Sequence, residues 1–94
     1  MAQKLDDAAV HSELEGTPGW TVENGQLTRT FTFDSYSGGA GFAVRVMMLS
    51  EKLDHHPDAI EIGWKRVTLR YVTHSAGGLT ALDFDAARKV GALV

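Results

Sequence analysis

The sequence predicts an α+β fold in which three helices lie on one face of a four-stranded antiparallel sheet, in the order α-β-β-α-β-β-α. Asn24-Gly25, between two alternating stretches, supplies the positive φ angles of a two-residue type I′ hairpin. A second alternating pair follows, Ile60, Ile62 and Trp64 and then Val67, Leu69 and Tyr71. Apolar residues at helical spacing occur before the first pair, between the two and after the second. Two hairpins can merge into one sheet, and the threonine-rich alternation of its second strand predicts a solvated face away from the helices.

The first helix is expected from about Lys4 to Glu15, with Leu5, Ala8, Ala9 and Ser12 at helical spacing. Asp6 and Asp7 suit the positive end of its dipole, and Gly16 and Pro18 stop it before Trp20. Closing the turn at Asn24-Gly25 pairs Val22 with Leu27 and Thr21 with Thr28. Leu27, Phe31 and Phe33 then face the core, and Thr28, Thr30 and Thr32 face out.

Asp34 and Ser35 are the N-cap candidates of a second helix that runs to about Leu53. It carries two apolar stripes, Tyr36, Ala40, Ala43, Val44 and Met47, and Phe42, Val46, Leu49 and Leu53. One stripe covers a sheet; the second predicts another apolar surface, for which a subunit interface is the preferred candidate. Gly38, Gly39 and Gly41 would permit close helix contact there or fray the first turn. Pro57 prevents continuation, so His55 and His56 leave the helix C-terminus into a loop. The second hairpin turns at Lys65-Arg66 and ends at Thr73-His74. After the loop Ser75-Ala76-Gly77-Gly78, the stretch Thr80-Ala81-Leu82-Asp83 reads as a capping box that opens a last helix to about Leu93. Its expected buried stripe is Leu82, Ala86, Val90 and Leu93.

Ninety-four residues suffice for one domain, spanning 1–94, with one core. The composition, 44% hydrophobic and 22% charged, argues against disorder. A net charge of −3 with nine dispersed Lys and Arg provides no basic stripe, which disfavours direct nucleic-acid binding. The absence of cysteine excludes thiolate nucleophiles and cysteine metal sites. No apolar run approaches membrane-spanning length, and Met1 to Asp7 has no signal-like apolar region, so a cytoplasmic location is expected.

Three of the four histidines fall between His55 and His74, close to Glu51, Asp54, Asp58 and Asp83. Such a set is compatible with an acid–base site, a metal site or scattered polar residues. For acid–base work, a helix C-terminus and Glu51, one turn before His55, favour an imidazolium, and a second, neutral histidine could then accept a proton. Adjacent His55 and His56 suit a single metal ion poorly, and the short His-x-x-x-His spacing is absent. Considered singly, Asp83 is explained by capping, Trp64 by the core and His11 by solvent. The Gly77-Gly78 loop lacks the lysine and Ser/Thr of a phosphate loop.

Glu51, three residues, His55-His56-Pro57, six residues, Trp64, nine residues, His74, eight residues and Asp83 form a spacing that resembles the signature of the pterin-4a-carbinolamine dehydratases, also known as dimerisation cofactors of a homeodomain transcription factor. Glu51 to Asp58, Val67-Thr68-Leu69 and Thr73 to Thr80 read like this family, as does the placement of Trp20, Phe31 and Phe33. The resemblance implies a hydro-lyase that dehydrates 4a-hydroxytetrahydrobiopterin, or a related carbinolamine, to quinonoid dihydropterin and water, without metal or organic cofactor. By motif position it implies His55, His56, His74 and Asp83 as the catalytic set. His55 and His74 would exchange protons, His56 would mainly bind substrate, and Asp83 would orient a histidine or the pterin. The expected substrate-binding set is His56, Pro57, Asp58, Trp64, Thr73 and Ser75. A homodimer or homotetramer through the second helix and a sheet edge is expected. The alternative is a protein-binding module of the same fold, with or without activity.

Overall fold

A computed structural model describes residues 2–94. The elements are α1 (Asp7–Glu15), β1 (Thr21–Glu23), β2 (Gln26–Thr32), α2 (Tyr36–Leu53), β3 (Ala59–Gly63), β4 (Arg66–Tyr71) and α3 (Ala81–Gly91), with a short 3-10 turn at His74–Ala76 before α3. The sheet is antiparallel with strand order β1-β2-β4-β3, so the two hairpins join through β2 and β4 as the sequence predicts. Asn24 and Gly25 have φ of 52° and 76°, and Val22 pairs with Leu27 and Thr21 with Thr28.

The core lies between the sheet and the helices. Leu27 and Phe31 of β2 and Val67, Leu69 and Tyr71 of β4 meet Phe42, Ala43 and Val46 of α2 and Phe84, Ala87 and Val90 of α3. Phe31 and Phe33 flank Phe42, with ring centroids 4.7 and 5.1 Å away, a spacing at which aromatic edges and faces attract. Asp6 caps α1, Ser35 caps α2, and the capping box of Thr80 and Asp83 opens α3.

Four expectations are corrected. In α1 Val10 and Leu14 pack against the core and Ala9 is half-buried as expected, whereas Ala8 and Ser12 are exposed, and Leu5 packs against the core from before the helix. In α3 Ala86 and Val90 are buried as expected, but Leu82 is exposed, and Asp83, Phe84 and Ala87 join the buried face. The second hairpin turns at Trp64-Lys65, with Gly63 paired to Arg66. Trp64 therefore leaves the strand alternation and is 73% exposed, with the Lys65 ammonium 4.6 Å from its ring centroid, rather than in the core. The sheet face away from the helices is only partly solvated: Thr28 and Thr68 are buried, and Arg70 lies across the face, paired with Glu23 and Glu61.

Candidate active site

The end of α2 sets up the first half of the site. Asp54 adopts a left-handed conformation (φ 53°) and its N–H returns to the carbonyls of the last turn, so the chain leaves the helix one residue before the histidines. His55 N–H donates to the Ser50 carbonyl, and Asp58 N–H donates to the Arg70 carbonyl, which docks the exit segment onto β4. The second half comes from the far end of β4. There the Thr73 carbonyl accepts N–H groups from Ala76 and Gly77, and Gly77 takes a left-handed φ of 79°. His74 is thus the first residue of a tight turn, not the last of a strand.

Each of the three histidines meets a carboxylate of its own. His55 Nε2 lies 2.7 Å from Asp83 Oδ1, in a contact where the histidine side chain is 13% exposed and the aspartate 0%. His56 Nε2 lies 3.0 Å from Glu51 Oε2, and His74 Nε2 lies 2.6 Å from Asp58 Oδ1, both pairs more open to water. Glu51 therefore serves His56 and not His55, because the left-handed Asp54 breaks the helical spacing that would have placed it one turn from His55. The His55 ring also stacks on Tyr71, with planes 17° apart and centroids 6.1 Å apart.

The His55 partnership is the most enclosed. Asp83 Oδ2 accepts hydrogen bonds from the Thr73 hydroxyl (2.8 Å) and the Thr80 N–H (2.9 Å), while Oδ1 faces His55. A buried carboxylate is tolerated when donors surround it, and here three do so. Among the described residues, no buried side-chain polar atom lacks a partner. The hydrogen bond from His74 holds the Asp58 carboxyl below its usual range, and Gln26 adds a second hydrogen bond to the same group. Burial pushes the Tyr71 phenol up to about 12.

The histidines gather at one end of the sheet; His56 and His74 border two different clefts, and His55, its side chain 13% exposed, lines neither of them. His56 lines one of about 310 Å³ with Met47, Ser50, Glu51, Pro57 and Ile60. His74 lines a larger one of about 480 Å³ with Lys4, Leu5, Asn24, Gln26 and Leu79 among its walls. Of the other residues expected at the site, Pro57 lines the His56 cleft, Asp58 pairs with His74, and Ser75 is exposed beside His74. Thr73 is buried with its hydroxyl turned inward onto Asp83. Trp64 sits at the opposite end of β3, roughly 16 Å along a five-residue strand, and the chain does not bring it to its own histidines. Among the described residues no group of three or more potential ligands is placed to hold a metal ion. Tyr71 and Gln26 were not anticipated: the strand alternation marked Tyr71 only as core, and nothing local singles out Gln26.

The family model described as pterin 4 alpha carbinolamine dehydratase matches residues 3–93. The chain belongs to this family. Two relatives from Roseiflexus, both provisionally named pterin-4-alpha-carbinolamine dehydratase, agree with that match. The protein of Roseiflexus sp. (strain RS-1) is 42% identical over 90 residues, 96% of each chain. That of Roseiflexus castenholzii is 40% identical over the full length of both. Among solved structures, a transcriptional coactivator/pterin dehydratase from Brucella melitensis superposes with a TM-score of 0.89 at 34% identity, covering 97% of this chain and 98% of that one. A pterin dehydratase-like protein identified as a RuBisCO assembly factor in the alpha-carboxysome has a TM-score of 0.64 at 26% identity, covering 79% of this chain and 84% of its own.

Proposed function

We propose that this protein dehydrates a 4a-hydroxytetrahydropterin, 4a-hydroxytetrahydrobiopterin or a close relative, to quinonoid dihydropterin and water, as a step of pterin recycling. The observation that carries this reading is the set of three imidazoles at one end of the sheet, each held by its own carboxylate. Eliminating water needs one proton delivered to the leaving 4a-hydroxyl and one removed from a ring nitrogen. His55 and His74, on separate elements with separate carboxylates, perform these two transfers. His56, open to its cleft beside Pro57, binds the substrate. Asp83 touches His55 and orients it. The proposed chemistry moves only protons and water, and it uses no metal or organic cofactor.

The test generates the 4a-carbinolamine in situ with an aromatic amino acid hydroxylase and follows its decay spectroscopically with and without this protein. The wild-type protein is expected to accelerate the decay. His55→Ala and His74→Ala are each expected to lower kcat by about a hundredfold or more, whereas His56→Ala should act mainly on KM. Decay at the uncatalysed rate in the presence of wild-type protein would refute the reading.

A second reading, a protein-assembly role, is favoured by one feature. Tyr36, Val44, Met47 and Met48 form an exposed apolar stripe along α2, separate from the histidines' carboxylate contacts. Loss of activity in the histidine variants with unchanged assembly would show that the two roles are separable.

A further inference from the structure

Asp83 is completely buried, and its hydrogen bonds leave little freedom in the positions of the protons around it. Thr73 Oγ1 lies 2.8 Å from both Asp83 Oδ2 and Thr80 Oγ1. A hydroxyl has one proton, and the carboxylate accepts it, so Thr73 must receive rather than donate at Thr80. The Thr80 hydroxyl therefore donates to Thr73, and its own acceptor lone pair takes the Leu82 N–H at 3.2 Å. The chain of donation runs Leu82 N–H to Thr80, Thr80 O–H to Thr73, and Thr73 O–H to Asp83. Asp83 Oδ2 is then filled by Thr73 and the Thr80 N–H, which leaves Oδ1 for His55. A carboxylate oxygen only accepts, so the hydrogen bond at Oδ1 is donated by the His55 Nε2–H. The lone pair of the neutral ring is left on Nδ1, to which no protein group bonds among the described residues.

Thr73 has a second connection. Its N–H donates to the Gly78 carbonyl at 3.1 Å, and its own carbonyl accepts from Ala76 at 3.0 Å and Gly77 at 3.1 Å, which closes the turn that presents His74. One buried residue, 7% exposed, thus holds the carboxylate behind one histidine and the backbone under another.

We infer that Thr73 is a positioning residue rather than a substrate contact: its hydroxyl, backed by Thr80, orients Asp83 and locks His55 in the Nε2–H tautomer, so that Nδ1 is the atom through which His55 exchanges its proton, while its backbone seats His74. The kinetic part rests on the dehydratase reading; the tautomer part does not.

The experiment compares wild type, Thr73→Val and Thr73→Ser by long-range ¹H–¹⁵N correlation of the imidazoles, at a pH where they are neutral, and by kinetics on the carbinolamine. Wild type should show His55 protonated on Nε2. Thr73→Val should weaken that preference and lower kcat by about tenfold, the scale on which partners behind a working histidine act, with KM changed less than about twofold. Thr73→Ser, which restores the hydroxyl, should return both readouts to near wild type. A wild-type His55 protonated on Nδ1 would overturn the proposal even if no Val variant folded. So would a Val variant with unchanged tautomer and kcat, or a Ser variant as impaired as Val. A wild-type protein with the Nε2–H tautomer and no dehydratase activity would refute the catalytic reading alone.

Discussion

Tyr71 is where the core and the site meet. It is 1% exposed, closes the end of the β4 core row, and offers its ring face to His55. Alternation along β4 makes its inward orientation readable from sequence, but the stacking is not, because it depends on where α2 ends and on the left-handed Asp54. The same division applies to the carboxylates. Thr80-x-x-Asp83 announces a cap in the sequence, and the cap is there. That Asp83 also holds His55, 28 positions away, follows only from the fold. Burial that raises the Tyr71 phenol from 10.0 to about 12 predicts a measurable effect. Between those values the folded state keeps a proton that the unfolded chain has released, so stability falls as pH rises. This contribution is fully present below pH 10 and is lost by about pH 12, and it amounts to the order of 2–3 kcal/mol. Chemical denaturation across that range should show wild type losing more stability than Tyr71→Phe; parallel losses would place the phenol in contact with water.

At the scale of elements, helices, hairpins and caps were readable because each rests on local chemistry: Asn-Gly for the first turn, and Ser35 and Thr80 for the caps; Pro57 marks that α2 cannot continue, while the left-handed Asp54 ends it. The second turn was misplaced by one residue because Trp64-Lys65 carries no glycine or asparagine, and Lys65 takes a positive φ of 59° without that signature. The α3 stripe holds at Ala86, Val90 and Leu93 and fails only at Leu82, whereas in α1 Ala8 and Ser12 face out because small residues are compatible with either side of a helix. The glycines of α2 illustrate what spacing leaves open. A Cβ on Gly39 would meet Phe33 and Val67 at 3.4 Å, so this glycine brings the helix close to its own sheet, whereas a Cβ on Gly41 would meet nothing within 4 Å. Gly41→Ala is therefore expected to stabilise the chain by about 0.5–1 kcal/mol, and Gly39→Ala to gain less. Denaturant unfolding measures both. A loss at Gly41 would mean that a partner packs against that side of α2.

Over the whole molecule, the first stripe of α2 divides: Ala43 joins the second stripe in the core, while Tyr36, Val44 and Met47, with Met48 beside them, stay outside it. Phe42 and Val46 are buried against the sheet, while Tyr36, Val44, Met47 and Met48 stay 46–67% exposed on the opposite side. Single exposed apolar residues are ordinary, but four along one helix face make a contiguous patch of the kind that marks an interface. The outer edge of β3, with Ile62 45% exposed, is a second unpaired surface. Self-association through α2 would bury the stripe and give this small chain more core than it has alone. Light scattering at micromolar concentration should accordingly report a dimer or tetramer. Val44→Lys with Met48→Lys, which sets charges in the middle of the patch, should yield a monomer with an unchanged far-ultraviolet spectrum. If the edge of β3 carries the assembly instead, this double variant will remain associated and Ile62→Lys will dissociate it. A wild-type monomer at that concentration would remove both surfaces from consideration and leave the α2 stripe without a partner of its own kind.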